Sequence, residues 1–112
     1  MILIIGAQGS GKREYACQLG YKPEQMADAV LDERPVVYNA QQLLIEPYQP
    51  ELLLPQLLSK QVVICNEVGS GVIPAERSQR EWREACGRLS ILLAQQAEQV
   101  IRMVCGIPLR IK

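Results

Sequence analysis

The sequence predicts an α/β domain with a small, mostly parallel sheet covered by helices. Three apolar runs rich in β-branched residues carry that expectation: Ile2-Leu3-Ile4-Ile5, Val62-Val63-Ile64-Cys65 and Val100 to Val104. Runs of this kind suit central strands buried on both faces. Segments of helical spacing separate them, and strand, helix, strand, helix, strand is the order that builds parallel pairing.

The elements follow in chain order. Ile2 to Ile5 is a strand that ends abruptly in a glycine-rich turn. Arg13 to Leu19 is a short helix stopped by Gly20. In residues 21–34, Pro23-Glu24 can open a helical turn and Ala29-Val30-Leu31 can form a short strand. Val36-Val37-Tyr38 is a further strand. Helix formers from Asn39 to Glu46 predict a helix ended by Pro47. Glu51 to Ser59 is leucine-rich and helical, with Pro55 predicting a break or two shorter pieces. Val62 to Cys65 runs into Asn66-Glu67 and a glycine-containing loop, Gly69-Ser70-Gly71, with Pro74 at its far end. The longest helix spans Ser78 to Ala97, where Trp82, Ala85, Leu89, Leu92 and Leu93 share one face. Val100 to Val104 is a third clear strand, ended by Gly106 and Pro108.

Composition narrows the function classes. The chain has 112 residues, 48% of them apolar, which is enough for one ordinary core. Twelve basic and twelve acidic residues leave no net charge. Nucleic-acid binders usually carry a basic surplus, so no nucleic-acid partner is expected, nor an acidic membrane. The four cysteines, Cys17, Cys65, Cys86 and Cys105, form no CxxC pair, and there is no histidine, so neither zinc nor a disulfide framework is expected. Met1 to Ile5 is too short for a signal peptide and no run approaches a membrane span. The cytoplasm is the expected compartment.

Gly6-Ala7-Gln8-Gly9-Ser10-Gly11-Lys12 fits G-x-x-x-x-G-K, the Walker A pattern, directly between strand and helix. Glycines let the backbone wrap closely with N–H groups pointing inward. The following helix adds its own N–H groups, and Lys12 can reach the terminal phosphates of a nucleotide. The motif predicts a P-loop NTPase-like three-layer fold, with residues 1–112 a single nucleotide-binding domain. Gly6, Ala7, Gln8, Gly9, Ser10, Gly11, Lys12 and Arg13 are the candidate nucleotide-binding residues.

Arg13 stands where a Ser or Thr hydroxyl ordinarily binds Mg²⁺, and a guanidinium cannot coordinate a cation. Five readings stay open. Ser10 or a water replaces the ligand; magnesium is held more weakly; the chemistry is lost; Arg13 itself adds positive charge against the phosphates; or Arg13 is simply a solvated arginine on the helix surface. Ligands of parallel sheets bind beyond the carboxyl ends of the strands, where Asn66 and Glu67 lie. Glu67 is the second candidate catalytic residue beside Lys12. Its carboxylate can hold Mg²⁺ through water or accept a proton; alternatively it only bonds the loop backbone. Asn39 also closes a strand, and if that place ordinarily carries an acid, an amide has replaced it. Of Arg77, Arg80, Arg83 and Arg88, some can point towards nucleotide or substrate phosphates; for most, a solvated helix face paired with Glu76, Glu81 and Glu84 is the simpler reading.

Three segments carry a resemblance: Asn66-Glu67-Val68-Gly69-Ser70-Gly71-Val72-Ile73-Pro74, Trp82-Arg83-Glu84-Ala85-Cys86-Gly87-Arg88, and Gly106-Ile107-Pro108-Leu109-Arg110-Ile111-Lys112. With the phosphate turn, they resemble the adenosylcobinamide kinase/adenosylcobinamide-phosphate guanylyltransferase family of cobalamin biosynthesis. The resemblance covers residues 66–112 and roughly the first dozen. It implies phosphorylation of a cobinamide by a nucleoside triphosphate, followed by GMP transfer through a guanylylated histidine, in an oligomer. The chain departs from the family in its shorter middle, in Arg13, and in having no histidine to carry that intermediate. The expected function is a reduced kinase-like transferase using ATP or GTP, with Mg²⁺ as the family's cofactor and a corrinoid as substrate. The alternative is a catalytically inactive nucleotide-binding module that regulates or scaffolds; a homo-oligomer suits either.

Overall fold

The structure is a computed structural model that describes residues 1–68 and 76–112. The loop expected at Gly69-Ser70-Gly71 and Pro74 lies outside the described residues. Six strands form one sheet: β1 Ile2–Gly6, β2 Met26–Asp28, β3 Val36–Tyr38, β4 Val62–Asn66, β5 Gln99–Val104 and β6 Ile107–Arg110. Their spatial order is β2-β3-β4-β1-β5-β6. The first five strands are parallel, and β6 joins the β5 edge antiparallel. The helices are α1 Lys12–Gln18, α2 Pro50–Leu58 and α3 Arg77–Gln96, with 3-10 turns at Pro23–Gln25 and Ala40–Leu43.

Strand periodicity divides the core into two layers, because successive side chains point to opposite faces. Leu3, Val37, Val63, Cys65 and Val100 face Leu57 of α2 and Ala85, Cys86, Leu89 and Leu93 of α3. Ile4, Val36, Val62, Ile64, Ile101 and Met103 face Ala16 of α1. Helices therefore cover both faces, which is the three-layer, P-loop NTPase-like fold that the sequence predicts. The Trp82 face of α3 is the buried one, and the indole Nε1 donates to the Gln41 carbonyl oxygen at 3.2 Å.

Three expectations are corrected. The short strand is Met26–Asp28, not Ala29 to Leu31. Met26 and Ala27 are buried, while Ala29 turns out of the sheet at φ 51° and Val30 is exposed. Arg34 then clamps the outgoing loop by gripping the Asp32 carboxylate at 2.7 Å.

The segment after Asn39 is a 3-10 turn, not a helix to Glu46. Proline disfavours helical backbone at the residue before it, so Glu46 could not prolong a helix, and the chain is extended from Leu44. Pro55 does not break α2, which runs through it from Pro50 to Leu58. Pro55 sits inside the helix on its exposed side and forfeits one intrahelical bond. As expected, β5 ends at Val104, before Gly106; beyond it the sheet carries one more strand, β6, which the sequence reading does not include. Cys105 and Gly106, with φ 50° and 76°, form a two-residue hairpin turn of the I′ kind, and Pro108 lies on an edge strand, where a missing N–H costs little.

Candidate functional site

The turn after β1 is built around absent side chains. A Cβ on Gly6 would lie 2.5 Å from Ser10 Oγ and 2.8 Å from the Met103 carbonyl oxygen. Gly11 has φ 94°, and a Cβ there would meet Gly106 Cα at 3.3 Å. Two glycines thus let the turn fold between β1 and the β5–β6 hairpin. The Ser10 N–H donates to the Ala7 carbonyl oxygen at 3.2 Å, and the Gly106 N–H donates to the Ser10 carbonyl oxygen at 3.0 Å. The hairpin buttresses the turn from outside.

Lys12 folds back over this turn, its Nζ donating to the Ala7 carbonyl oxygen at 2.6 Å. Only 8% of the residue is exposed. Burial lowers the ammonium pKa, partly opposed by Glu14 and Glu67. A buried cation with a single hydrogen-bond partner among the described residues is costly to keep, and an incoming anion would offset that cost. Ser10 Oγ is likewise buried and has no hydrogen-bond partner among the described residues.

A cavity of about 180 Å³ opens over the turn. Gln8, Gly9, Ser10, Gly11, Lys12, Arg13 and Glu14 line one side, and Tyr38, Asn39, Ile64 and Asn66 line the other. The carboxyl ends of β1, β3 and β4 thus converge there. Gly6, buried, and Ala7, exposed, belong to the turn but do not line the cavity. Arg13 stacks on the Tyr38 ring, its guanidinium carbon 4.8 Å from the centroid.

The strand-end residues separate in role. Asn66 reaches the turn, its Nδ2 donating to Gln8 Oε1 at 3.0 Å. Its backbone N–H donates to Oε1 of the buried Gln41 at 3.1 Å, which fixes the tip of β4. Asn39 donates to Asp28 Oδ1 at 2.8 Å, tying the tips of β3 and β2 together. Glu67 lies beside the turn through its N–H, which donates to the Gly6 carbonyl oxygen at 2.8 Å. Its carboxylate is outside the cavity lining and is engaged by Arg102 of β5, Nε to Oε1 at 2.7 Å and Nη2 to Oε2 at 3.2 Å. Sequence reasoning missed Tyr38 and Arg102. The available signals were an aromatic side chain closing a strand and a lone arginine in an apolar run.

The donor set does not suit a magnesium ion held by the protein. Magnesium sites usually rest on one or two carboxylates with water and phosphate. The cavity wall offers the hydroxyls of Ser10 and Tyr38, amides, two cations and one carboxylate, the exposed Glu14. No group of three or more His, Cys, Asp or Glu residues gathers for a metal among the described residues. Of the arginines on α3, Arg77 pairs with Glu81 at 2.9 Å and Arg88 donates to the Tyr48 carbonyl oxygen at 3.4 Å. Both contacts lie away from the turn.

A parallel sheet whose first strand hands over to a glycine turn carrying a buried lysine defines the class: a P-loop NTPase-like α/β protein. A comparison with protein families gives the particular one. Residues 46–111 match the family model described as cobinamide kinase / cobinamide phosphate guanyltransferase, CobU, and the chain belongs to this family. Two relatives are the bifunctional adenosylcobalamin biosynthesis proteins CobU of Salmonella typhimurium and Escherichia coli. Each is 41% identical over 54 residues, which cover 48% of this chain and 30% of the relative. The chain thus aligns with under a third of those relatives' length. The family match begins after the phosphate turn, so the turn itself rests on its motif and geometry. No helix is long and apolar enough to cross a membrane among the described residues.

Proposed function

We propose that the chain binds ATP or GTP by its phosphates at Gly6–Arg13 and acts as a reduced, cobinamide-kinase-like phosphotransferase of cobalamin biosynthesis. The histidine-dependent guanylyltransferase step is absent from this reading, because the sequence holds no histidine. The observation that carries the proposal is the cradle itself: Lys12 buried over a glycine turn beside a polar cavity, in a chain of this family. The cavity is smaller than the roughly 300–1,000 Å³ of pockets that enclose whole ligands. It suits a phosphate chain, with the nucleoside lying on open surface.

In this reading Lys12 neutralises the phosphate being transferred, and Glu67 acts on the acceptor or on a water only when it leaves Arg102. Any Mg²⁺ arrives with the nucleotide, held by phosphates and water. The acceptor is a corrinoid, the compartment is the cytoplasm, and a second copy of the chain is a candidate partner. Nucleic acid and membrane are not. The test is phosphoryl transfer from ATP or GTP to adenosylcobinamide, with an active family member as control. Product at enzyme-dependent rates supports the kinase; none at high enzyme concentration removes it.

A second reading is a nucleotide-binding module without catalysis. The engagement of Glu67 by Arg102, together with Arg13 in the place of a hydroxyl, favours it. Nucleotide binding by calorimetry without turnover in the same assay would select this reading.

A further inference from the structure

Arg13 and Lys12 form two adjacent cations on one wall of the phosphate cavity. Two like charges repel, yet the fold secures both. Lys12 is tied to the Ala7 carbonyl oxygen, and Arg13 lies on the Tyr38 ring. An aromatic face attracts a cation and fixes the guanidinium plane as well. The buried hydroxyl of Ser10, without a hydrogen-bond partner among the described residues, lines the same cavity. The wall across from them carries the amides Asn39 and Asn66 rather than acids, and Glu67 is spoken for by Arg102. Everything at the site that would attract a cation is replaced, withdrawn or exposed, while the groups that attract an anion are doubled.

We infer that Arg13, braced on Tyr38, takes the place of magnesium, so that the site binds the metal-free polyphosphate chain of a nucleoside di- or triphosphate. The inference rests on the phosphate-binding reading of the turn. A guanidinium presents a planar fork of N–H donors that matches two phosphate oxygens at once, which neither lysine nor serine does. Its position directly after Lys12 lets the two side chains neutralise neighbouring phosphoryl groups without a bridging ion. Tyr38 is a positioning residue here, since it acts through Arg13.

The test is calorimetry with ADP and ATP at constant ionic strength, in excess EDTA and in excess Mg²⁺. The wild-type dissociation constant is expected to differ by less than about threefold between the two conditions, because the charge is met by the protein. Arg13→Ser should weaken binding in EDTA by about tenfold or more, the scale of a charge-assisted hydrogen bond, and magnesium should recover part of the loss. Tyr38→Ala should weaken EDTA binding by about two- to fivefold, and Tyr38→Phe, which restores the ring face, should recover it. Circular dichroism checks that each variant folds. Binding by the wild type only with magnesium overturns the inference and leaves nucleotide binding intact. Unchanged EDTA affinity in Arg13→Ser also overturns it. No binding under either condition overturns the phosphate reading itself.

Discussion

The guanidinium of Arg102 holds both carboxylate oxygens of Glu67, at 2.7 and 3.2 Å, and so draws the acid at the tip of β4 towards β5. The two side chains are 51% and 34% exposed, so water screens the pair. Arg102→Met is expected to lower the unfolding free energy by less than about 1 kcal/mol in urea denaturation. The same substitution frees a carboxylate beside the turn. Magnesium should therefore strengthen nucleotide binding more in the variant than in the wild type, as measured by calorimetry.

Gly6 admits no side chain. Its Cβ would lie 2.5 Å from Ser10 Oγ and 2.8 Å from the Met103 backbone oxygen, and the second of these cannot swing away. Gly6→Ala is expected to destabilise the protein by about 2 kcal/mol, the middle of the range for overpacking. Nucleotide affinity should fall with it. Gly9→Ala, where nothing lies near the Cβ, should suffer only from its backbone φ of 74° and lose about 1 kcal/mol. Thermal unfolding of the two variants side by side separates steric from conformational cost.

Lys12 works against the fold. Its folded pKa is lowered by burial, so the unfolded chain binds the proton more tightly as pH rises towards the ordinary lysine value of 10.5. In that window the unfolded state carries more protons, and stability attributable to Lys12 increases with pH. Lys12→Met should remove this rise, leave neutral-pH stability equal to or above wild type, and weaken nucleotide binding by about tenfold or more. Urea unfolding at several alkaline pH values, with calorimetry at neutral pH, checks all three outcomes.

The thiols divide by location. Cys17 and Cys105 are exposed, whereas Cys65 and Cys86 are buried. Burial pushes both buried thiols up to about 12 from the ordinary thiol value of 9.0. A disulfide reagent should therefore modify two thiols quickly in the native protein and all four after denaturation. A raised acid pKa means the folded state keeps protons that the unfolded state releases above pH 9. The contribution of these thiols to stability should thus fall between pH 9 and 12. Replacing Cys65 and Cys86 by Ala should flatten that alkaline fall in urea titrations.

The fold was legible where one physical signal dominated. β1, β4 and β5 are apolar runs long enough to announce burial on both faces, and the stripe of Ala85, Leu89 and Leu93 announced α3. Legibility failed where tertiary pairing decided. Met26–Asp28 is too short, and too polar at its tip, to signal a strand by itself; it exists because β3 pairs with it. Gly106 and Pro108 look like stops in a linear reading, and the alternation of Ile107, Leu109 and Ile111 was the signal of an edge strand.

At the site, the glycine turn and Lys12 could be read from spacing, because strand, turn and helix are contiguous. The surroundings could not. Tyr38 meets Arg13 and Arg102 meets Glu67 only because β3, β4, β1 and β5 bring their carboxyl ends together. Contacts across a sheet leave no mark in local periodicity.

The bond from Gly106 to Ser10 makes the phosphate turn depend on the β5–β6 hairpin, whose outer strand is exposed along its full length. An outer strand frays more readily than the buried strands, and each opening releases the carbonyl that braces the cradle. Phosphate gripped in the turn would stiffen that carbonyl and hold the hairpin shut. Occupancy of the cradle then registers as slower hydrogen exchange at an amide outside the cavity, on a segment remote in sequence from Lys12.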